Sequence, residues 1–545
     1  MTKLFAGIDV GTGSARAGLF DANGKLYGTA RQPIRTWREA GEIVEQSSDD
    51  IWAASAAAIG EAMHLAGARA ADIAGLGFDA TCSLVALDRN GRPLAVGPSG
   101  DPQRNVIVWM DHRAVAEAKD IDATRSEVLR YVGGTISPEM EMPKLLWLKR
   151  HLPKQFAAAG DFFDLTDFLT WRATGSRMRS LCTVTCKWTY LAHEDRWDDD
   201  FLRAVGLADL AADGHGRIGQ MTAAPGAAVG IGLTAVAAGE LGLLPGTPVA
   251  AGLIDAHAGG IGTIGGAALD GKPNDPLRRI AYIMGTSACI MATTREPVFV
   301  PGVWGPYFSA MVPGRWLNEG GQSASGSAVD FIARTHPAFA AANAAAEPAG
   351  LNLLDYLEKR VERRVGDISE AAYLAAERHI LPEYLGNRSP HADPASRAVM
   401  LGLSLDESIE DLECSYVAAL CGLAYGLAEA IEALGSSGIE SDAIVASGGA
   451  SHSRLVRQIM ADATGLPVIL SDTAEPVLLG SAILAAVAAG EYASLPAAMA
   501  VMSRDREATR PTAKTRDFHS AKRKIQDAMR AMERQARRHM EPWRV

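Results

Sequence analysis

Short apolar runs separated by glycine turns open the chain. Residues Leu4–Val10 and 15–20 are apolar, and a third such run at 25–30 follows the turn at 21–24. The Asn-Gly pair in that turn favours a tight hairpin, because both residues tolerate a positive φ. This pattern predicts a three-stranded meander.

Strand-like and helix-like periodicities then alternate along the chain. The predicted strands are 73–78, 83–87, 248–253, 443–447 and 467–470, and 280–293 holds two strand-like runs on either side of the turn at 285–287. The predicted helices are 49–66, 113–119, 144–151, 454–464 and 477–489. Such alternation is typical of α/β layers. Because the run 280–293 opens the second half much as Leu4–Val10 opens the first, we expect an internal duplication, with a Gly/Pro/Asn boundary at 267–277. The expected domains are 1–268, 278–505 and a basic C-terminal helix, 506–545.

Two further segments have a distinctive composition. Residues 338–349 are rich in alanine and predict a surface insertion. In the basic C-terminal stretch an apolar stripe recurs at helical spacing, which predicts a helix docked by that stripe with a solvated basic face. A nucleic-acid or membrane contact is the alternative. The stripe consists of Ile525, Met529, Met532, Ala536 and Met540.

Composition narrows the function classes. Hydrophobic residues make up 48% and charged residues 21% of the 545 positions, as in globular enzymes. The net charge of −11 argues against nucleic acid as the main partner. No run approaches 18 uncharged apolar residues, which predicts no membrane span, and a strand beginning at Leu4 leaves no room for a signal peptide.

The six cysteines are sparse, and only Cys182 and Cys186 are close in sequence. Their C-x3-C spacing has no nearby His or Cys that would complete a zinc site. We therefore expect reduced thiols in a cytoplasmic protein.

Three glycine turns are candidate phosphate contacts, because backbone N–H groups at such turns can face an anion. The third lies at a strand-to-helix junction, where a tight βα turn is the alternative. No Gly-x4-Gly-Lys-Ser/Thr segment is present, which excludes a P-loop. The turns are Gly11, Thr12, Gly13 and Ser14; Gly285, Thr286 and Ser287; and Gly448, Gly449 and Ala450.

Two aspartates end apolar strands. Asp9 precedes the first glycine turn, where it could hold Mg²⁺ through water or cap its own turn. Asp255 follows an apolar run, where a charge is costly unless paired or functional, and it is a candidate general base or helix N-cap. His257 is a weaker candidate base and is expected to be structural. The Gly-x-Gly-x-x-Gly at 260–265 matches a dinucleotide fingerprint, but the strand-to-loop junction is already interrupted and helical periodicity is lost afterwards.

Taken together, these segments resemble the FGGY family of carbohydrate kinases over essentially the whole chain. The markers are Asp9–Ser14, Trp109–Arg113, Asp255 with the glycines after it, Gly285–Ser287 and Ser447–Ala450. The resemblance implies an α/β fold of two duplicated actin/hexokinase/ribonuclease-H-like domains, with sugar and ATP in the cleft between them. It also implies ATP and Mg²⁺ as cofactors and allows a homodimer.

Roles carried over from the resemblance follow position by position. Asp255 is the implied base on the sugar hydroxyl, Asp9 belongs with the metal and phosphates, the first two glycine turns would hold phosphates, and Gly448–Ala450 would flank the adenosine. The sugar contacts that it implies are Thr81, Cys82, Trp109, Asp111, Lys187, Asp255 and Glu319. For Lys187 a surface ion pair is the alternative, and for Trp109 a core position.

Within the family the chain resembles the ribulokinases most. Lys187 and Glu319 match sugar contacts of that group, the segment 78–83 lacks the Arg-Glu pair of glycerol kinases, and no Met-His-Gly segment typical of xylulokinases is present. The segments 381–390 and 392–394 resemble D-ribulose-type pentulose kinases. The expected reaction is ATP-dependent phosphorylation of a ketopentose, D-ribulose foremost, at its terminal primary hydroxyl. The alternatives are L-ribulose, xylulose or ribitol as acceptor, a non-catalytic actin-like ATP-binding protein, and a nicotinamide dehydrogenase.

Overall fold

The computed structural model describes residues 3–39 and 42–543. The strands of its first half are β1 (Leu4–Val10), β2 (Ser14–Asp21), β3 (Leu26–Pro33), β4 (Thr36–Glu39), β5 (Ile43–Gln46), β6 (Ile73–Ala80), β7 (Leu84–Asp88), β8 (Val106–Ile107), β9 (Ala159–Asp164), β10 (Arg179–Ser180), β11 (Thr222–Ala223) and β12 (Leu253–Ile254). The helices are α1 (Ser48–Ala66), α2 (Val115–Ala123), α3 (Glu141–His151), α4 (Pro153–Ala158), α5 (Leu165–Thr174), α6 (Leu181–Lys187), α7 (Asp199–Ala204), α8 (Ala212–His215), α9 (Ala235–Leu241) and α10 (Asp255–Ile264).

The second half contributes the remaining elements. Its strands are β13 (Arg279–Met284), β14 (Ala288–Thr294), β15 (Trp304–Phe308), β16 (Trp316–Gln322), β17 (His379–Leu381), β18 (Val399–Leu401), β19 (Ala443–Ser447), β20 (Val468–Ser471) and β21 (Asp505–Thr509). Its helices are α11 (Gly326–Thr335), α12 (Phe339–Ala346), α13 (Leu353–Val365), α14 (Ile409–Ser436), α15 (Arg454–Thr464), α16 (Pro476–Ala488), α17 (Leu495–Met502) and α18 (Arg516–Met540).

The two halves are built on the same sheet topology. The first sheet has the order β3-β2-β1-β6-β12, and five strands of the second have the order β16-β14-β13-β19-β20. In each, the first three strands are antiparallel and the last two run parallel to the first. This correspondence bears out the expected duplication and the α/β fold class.

Helices α10 and α16 join the halves, each lying between the two sheets. Glycines allow the backbones to approach closely: a Cβ at Gly480 would lie 1.9 Å from the carbonyl oxygen of Ala258, and one at Gly7 would lie 2.2 Å from that of Leu478. Apolar residues of both halves share one core here, including Phe5, Ile261 and Ile483. The junction is therefore tightly packed and holds the sheet ends in register across the cleft.

The glycine-rich segment 260–265 lies within and just after α10. A Cβ at Gly262 would lie 2.0 Å from the carbonyl oxygen of Pro476. These glycines serve helix packing and do not form a loop before a helix, as a dinucleotide fingerprint requires. The strand predicted at 248–253 is shorter than expected: it is β12, and Val249 and Ala250 before it form isolated bridges to Leu76 and Ala228.

Two predictions about surface segments are wrong in part. The alanine-rich segment forms α12, whose inner face is buried in the second-half core through Ala342 and Ala346. Helix α18 docks by a face that is largely polar, because Met532 and Met540 are exposed and only Met529 of the predicted stripe is buried. Its buried contacts come from His519, Lys522, Gln526, Met529 and Arg530.

In the part of the chain that the structure describes, α14 alone is long and apolar enough to cross a membrane by length and composition. Of its most apolar stretch, 72% is buried within the protein. Its side chains, among them Leu412, Val417 and Leu427, belong to the second-half core. Helix α14 is therefore a core helix of the second half.

Candidate active site

Sheet register brings three carboxylates together at one edge of the first sheet. In the parallel pairing of β1 with β6, Asp9 lies opposite Asp79. Strand β12 pairs with β6 so that Leu253 lies opposite Asp79, and Asp255 begins the helix directly after this strand. Because the carboxyl ends of parallel strands meet at one edge, the three side chains share the mouth of the cleft.

Asp79 was missed from the sequence as a site residue. It is fully buried, its Oδ2 accepts a 2.6 Å hydrogen bond from Ser481 of α16, and its Oδ1 has no partner in the described part of the chain. Burial and the facing carboxylates of Asp9 and Asp255 raise its pKa well above the ordinary value. The signal that could have found it is the one used for Asp9, a charge near the end of an apolar strand.

Asp9 is buried and paired with one cation. Arg16 donates through Nε at 2.8 Å and also through a second guanidinium nitrogen, and it reaches Glu475 of the second half at 3.0 Å. Arg16 thus faces three carboxylates, those of Asp9, Asp79 and Glu475. A hard divalent cation with oxygen ligands fits this surplus of negative charge and the unpartnered Oδ1 of Asp79. Asp9 and Asp79 are the residues that could hold it.

Asp255 stands at the first turn of α10 with its Oδ1 accepting a 2.7 Å hydrogen bond from the N–H of Ala256. Burial and the neighbouring Asp9 raise its pKa to about 6, against the opposing effects of the Ala256 N–H, His257 and Lys187. A carboxylate with a pKa near neutrality, placed where a cleft begins, is suited to take a proton.

The first two glycine turns are closed by equivalent short hydrogen bonds. The N–H of Gly11 donates to the carbonyl of Ser14 at 3.0 Å, and the N–H of Gly285 donates to that of Ser287 at 2.9 Å. Among the described residues no atom lies within 4 Å of a Cβ placed at Gly13, and the φ of Gly13 is not positive. Folding therefore does not require glycine at this position, and the open space beside it suits a bound group such as phosphate.

The third glycine turn combines a structural glycine with an open one. Gly448 has a φ of 89°, and a Cβ there would lie 2.2 Å from the carbonyl oxygen of Met284. Gly449 has no atom within 4 Å of a Cβ. With Ala450 it lines a cavity of about 730 Å³ that extends from Gly285 to Leu354 and Tyr416. The size of the cavity suits a nucleoside, and the cavity is lined by both glycine turns of the second half.

A second group of charges lies around Lys187 at the end of α6. Its ammonium lies 4.6 Å above the ring of Trp304, and no hydrogen bond joins it to a residue that the structure describes. Glu319 on β16 is nearly buried, and Lys187, His257 and Arg388 outweigh burial to lower its pKa to about 2. A free ammonium and an ionised carboxylate can recognise sugar hydroxyls by donation and acceptance.

Of the other sugar contacts implied by the resemblance, Cys82 lies near Lys187, whereas Trp109 lies near the first glycine turn. Cys82 is buried, and burial raises the pKa of its thiol although the charge of Lys187 opposes this rise. Thr81 bonds Ser83 at 3.0 Å, and Trp109 donates from its indole to the hydroxyl of Thr12 at 3.0 Å. Trp109 thus lies against the first glycine turn.

Asp111 is placed differently from the expectation. It is fully buried, and both carboxylate oxygens are occupied by Arg113 and by the N–H of Val44 at 2.6 Å. Its contacts fix the loop that carries Trp109 and leave no oxygen for a sugar.

Sequence reasoning missed Trp304, Arg388 and Glu139 as site residues beside Lys187. Arg388 lies 5.3 Å above the Trp304 ring and 3.8 Å from Glu139 of the other half. Charges on His112, Arg388 and Lys187 lower the pKa of Glu139 in spite of burial. These residues are distant in sequence, and only the closing of the two halves brings them together.

The duplicated sheets, the carboxylate edge and the facing glycine turns define a phosphotransferase with an actin/hexokinase-like two-domain fold. The chain matches the FGGY family of carbohydrate kinases, with its N-terminal domain over residues 4–262 and its C-terminal domain over residues 280–489. The chain belongs to this family, as the sequence resemblance predicted, and is a carbohydrate kinase.

Named relatives agree with this assignment. An FGGY carbohydrate kinase domain-containing protein of Danio rerio is 46% identical, covering 95% of each chain. A D-ribulokinase of Saccharomyces cerevisiae is 35% identical over 90% of this chain and 72% of its own. A xylulose kinase structure from Lactobacillus acidophilus superimposes with a TM-score of 0.78 at 19% identity, over 99% of this chain and 98% of its own, and supports the fold.

Proposed function

We propose that this carbohydrate kinase phosphorylates a ketopentose, with D-ribulose as its acceptor, at the terminal primary hydroxyl. The observation that carries the proposal is the position of Asp255 on the carboxylate edge, at the start of the helix α10 whose His257 contacts Glu319. The likeness to a D-ribulokinase over 90% of the chain supports this choice of sugar.

In the reaction the acceptor oxygen forms a bond to the γ-phosphorus of ATP as the bond to the ADP oxygen breaks. Asp255 orients the hydroxyl and takes its proton, which then passes to solvent. Lys187 and Glu319 hold other hydroxyls, with Trp109, Thr81 and Cys82 near them. Such positioning supplies much of the catalysis in phosphoryl transfer.

The phosphates of ATP lie against Gly11–Ser14 and Gly285–Ser287, and the adenosine lies in the cavity beside Gly448–Ala450. Mg²⁺ held by Asp9 and Asp79 would neutralise phosphate charge. Ionisation of these carboxylates becomes less costly once a cation faces them.

The test measures ADP release with Mg·ATP against D-ribulose, L-ribulose, D-xylulose, L-xylulose, ribitol and glycerol. The expected result is the highest kcat/KM with D-ribulose. Asp255→Asn measured in parallel gives the rate without the base. A higher kcat/KM with another sugar overturns the choice of acceptor, and no release with any of the six overturns the proposal as a whole.

A further inference from the structure

Two cysteines and a histidine that are far apart in sequence meet behind the sugar contacts. Cys182 and Cys186 lie four residues apart on α6 and so share one helix face. His257 on α10 places its Nδ1 3.0 Å from the Sγ of Cys182. All three residues are fully buried, and their ligand atoms lie within 4.8 Å of one another. The histidine that the C-x3-C spacing lacked is supplied by the fold.

The surroundings of this trio suit a thiolate and a metal-bound imidazole. The N–H of Ile254 points at the Sγ of Cys182 at 3.4 Å. The other ring nitrogen of His257 lies 3.2 Å from Oε2 of Glu319. A carboxylate on the outer nitrogen is the usual partner of a metal-binding histidine, because it fixes the tautomer and the ring orientation.

We propose that Cys182, Cys186 and His257 bind one thiophilic divalent cation of the Zn²⁺ class, and that the loaded protein binds its sugar less well. Three nitrogen or sulfur ligands are the number that open zinc sites carry. Metal binding requires deprotonated thiols and a neutral imidazole, so it would release protons. Charged or titratable groups that face the trio are Asp164, Asp167, Lys187, Asp255, Tyr307 and Glu319.

The effect on sugar binding follows from distances. A sulfur and a nitrogen atom that both bind one tetrahedral zinc ion are about 3.5 Å apart, because the Zn–S and Zn–N bonds are about 2.3 and 2.0 Å long. The observed separation of Cys182 Sγ and His257 Nδ1 is 3.0 Å. Metal binding must therefore move His257 or Cys182. Because His257 contacts the sugar-binding Glu319, a shift of His257 would displace Glu319 and weaken sugar binding. This part of the inference rests on the proposed function, whereas metal binding does not.

The experiment titrates the chelator-treated full-length protein with Cd²⁺ and records the ultraviolet thiolate-to-metal charge-transfer band. We expect saturation at one equivalent, displacement by Zn²⁺, and an increase of about tenfold in the KM for D-ribulose with the KM for ATP unchanged. Cys186→Ala should lose the band and the sensitivity of KM to metal. Cys421→Ala is the matched control, because this buried cysteine lies in α14, away from the trio.

The outcomes separate the two parts. Absence of a band in the native protein, or its persistence in both Cys186→Ala and Cys186→Ser, overturns the metal site. The serine variant is included in case the alanine variant does not fold, as judged by its thermal transition. A band without any change in sugar KM overturns the inhibitory part, and activity on no sugar at all overturns the proposed function while the band still tests the site.

Discussion

Asp255→Asn is expected to lower turnover by orders of magnitude and, at neutral pH, to make the folded protein more stable. The amide has almost the same shape and can still accept the hydrogen bond from Ala256. It cannot take a proton from the acceptor hydroxyl. It also removes a negative charge that burial and Asp9 disfavour.

The magnitudes follow from the raised pKa. Loss of a positioned base lowers kcat by about 10²–10⁴-fold. The pKa of Asp255 rises from 3.8 to about 6. Two units are about 3 kcal/mol, and access of water from the cleft reduces the gain to about 1–3 kcal/mol.

The pH dependence of the gain has a definite sign. Below pH 3.8 Asp255 is neutral in the folded and unfolded states, and the variant should gain nothing. As the pH rises towards 6 the unfolded state ionises first, so the folded wild type loses stability relative to the variant. Above that pH the difference stays constant.

Urea unfolding from pH 4 to pH 8, with ADP release measured on the same samples, tests both parts. Asp270→Asn is the control, because this exposed aspartate pairs with Lys272 and lies on a surface turn. It should keep full turnover and gain no stability. Turnover of Asp255→Asn within tenfold of wild type would refute the base, and an equal or lower stability at pH 8 would refute the cost of the buried charge.

Four other outcomes are expected. In the free enzyme, log(kcat/KM) should rise with unit slope below about pH 6 and level off above it, as ionisation of Asp255 requires; a flat profile from pH 5 to 7 would contradict this. Lys187→Met should raise the sugar KM about 10–100-fold with the ATP KM unchanged, since a charged hydrogen bond is worth about 1.5–3 kcal/mol. Gly480→Ala should cost about 1–3 kcal/mol in thermal unfolding because of its 1.9 Å contact, whereas Gly60→Ala, at an exposed position of α1 with no described atom within 4 Å of its Cβ, should gain about 0.5–1 kcal/mol. Gly13→Ala should leave the thermal transition unchanged and raise the ATP KM, and unchanged ATP kinetics would argue against a phosphate at this turn.

Local patterns in the sequence predicted the strands that are apolar runs ended by glycine or aspartate, such as β1 and β19. They did not predict strands rich in polar residues, such as β5 and β21. Helix 454–464 and strand 443–447 have the predicted bounds. The predicted docking face of α18 was wrong because Lys522 is buried there. Its ammonium donates hydrogen bonds to the carbonyls of Ala375 and Arg378, and hydrophobic periodicity cannot detect such contacts.

The candidate site was predictable where one strand end carries one charge, as for Asp9 and Asp255. It was not predictable where the contact depends on the packing of distant segments. Cys182 and His257 are 75 residues apart, and Arg388 meets Glu139 only because the halves close on each other. These residues are brought together by tertiary structure, so no sequence motif with a fixed spacing reveals them.

The two ends of the cleft differ in how their charges are balanced. At the sugar end Lys187 and Arg388 face Glu319 and Glu139, so ionised groups are matched within the protein. At the phosphate end, among the residues that the structure describes, Arg16 pairs with Asp9 and Glu475, while the pKa values of Asp79 and Asp255 are raised. The sugar end is therefore complete before ligands arrive, whereas the phosphate end gains its counter-charge from the cation that accompanies the nucleotide. Since that cation also eases ionisation of the carboxylate edge, its arrival should lower the pKa of Asp255 below the value of about 6 that it has in the free enzyme.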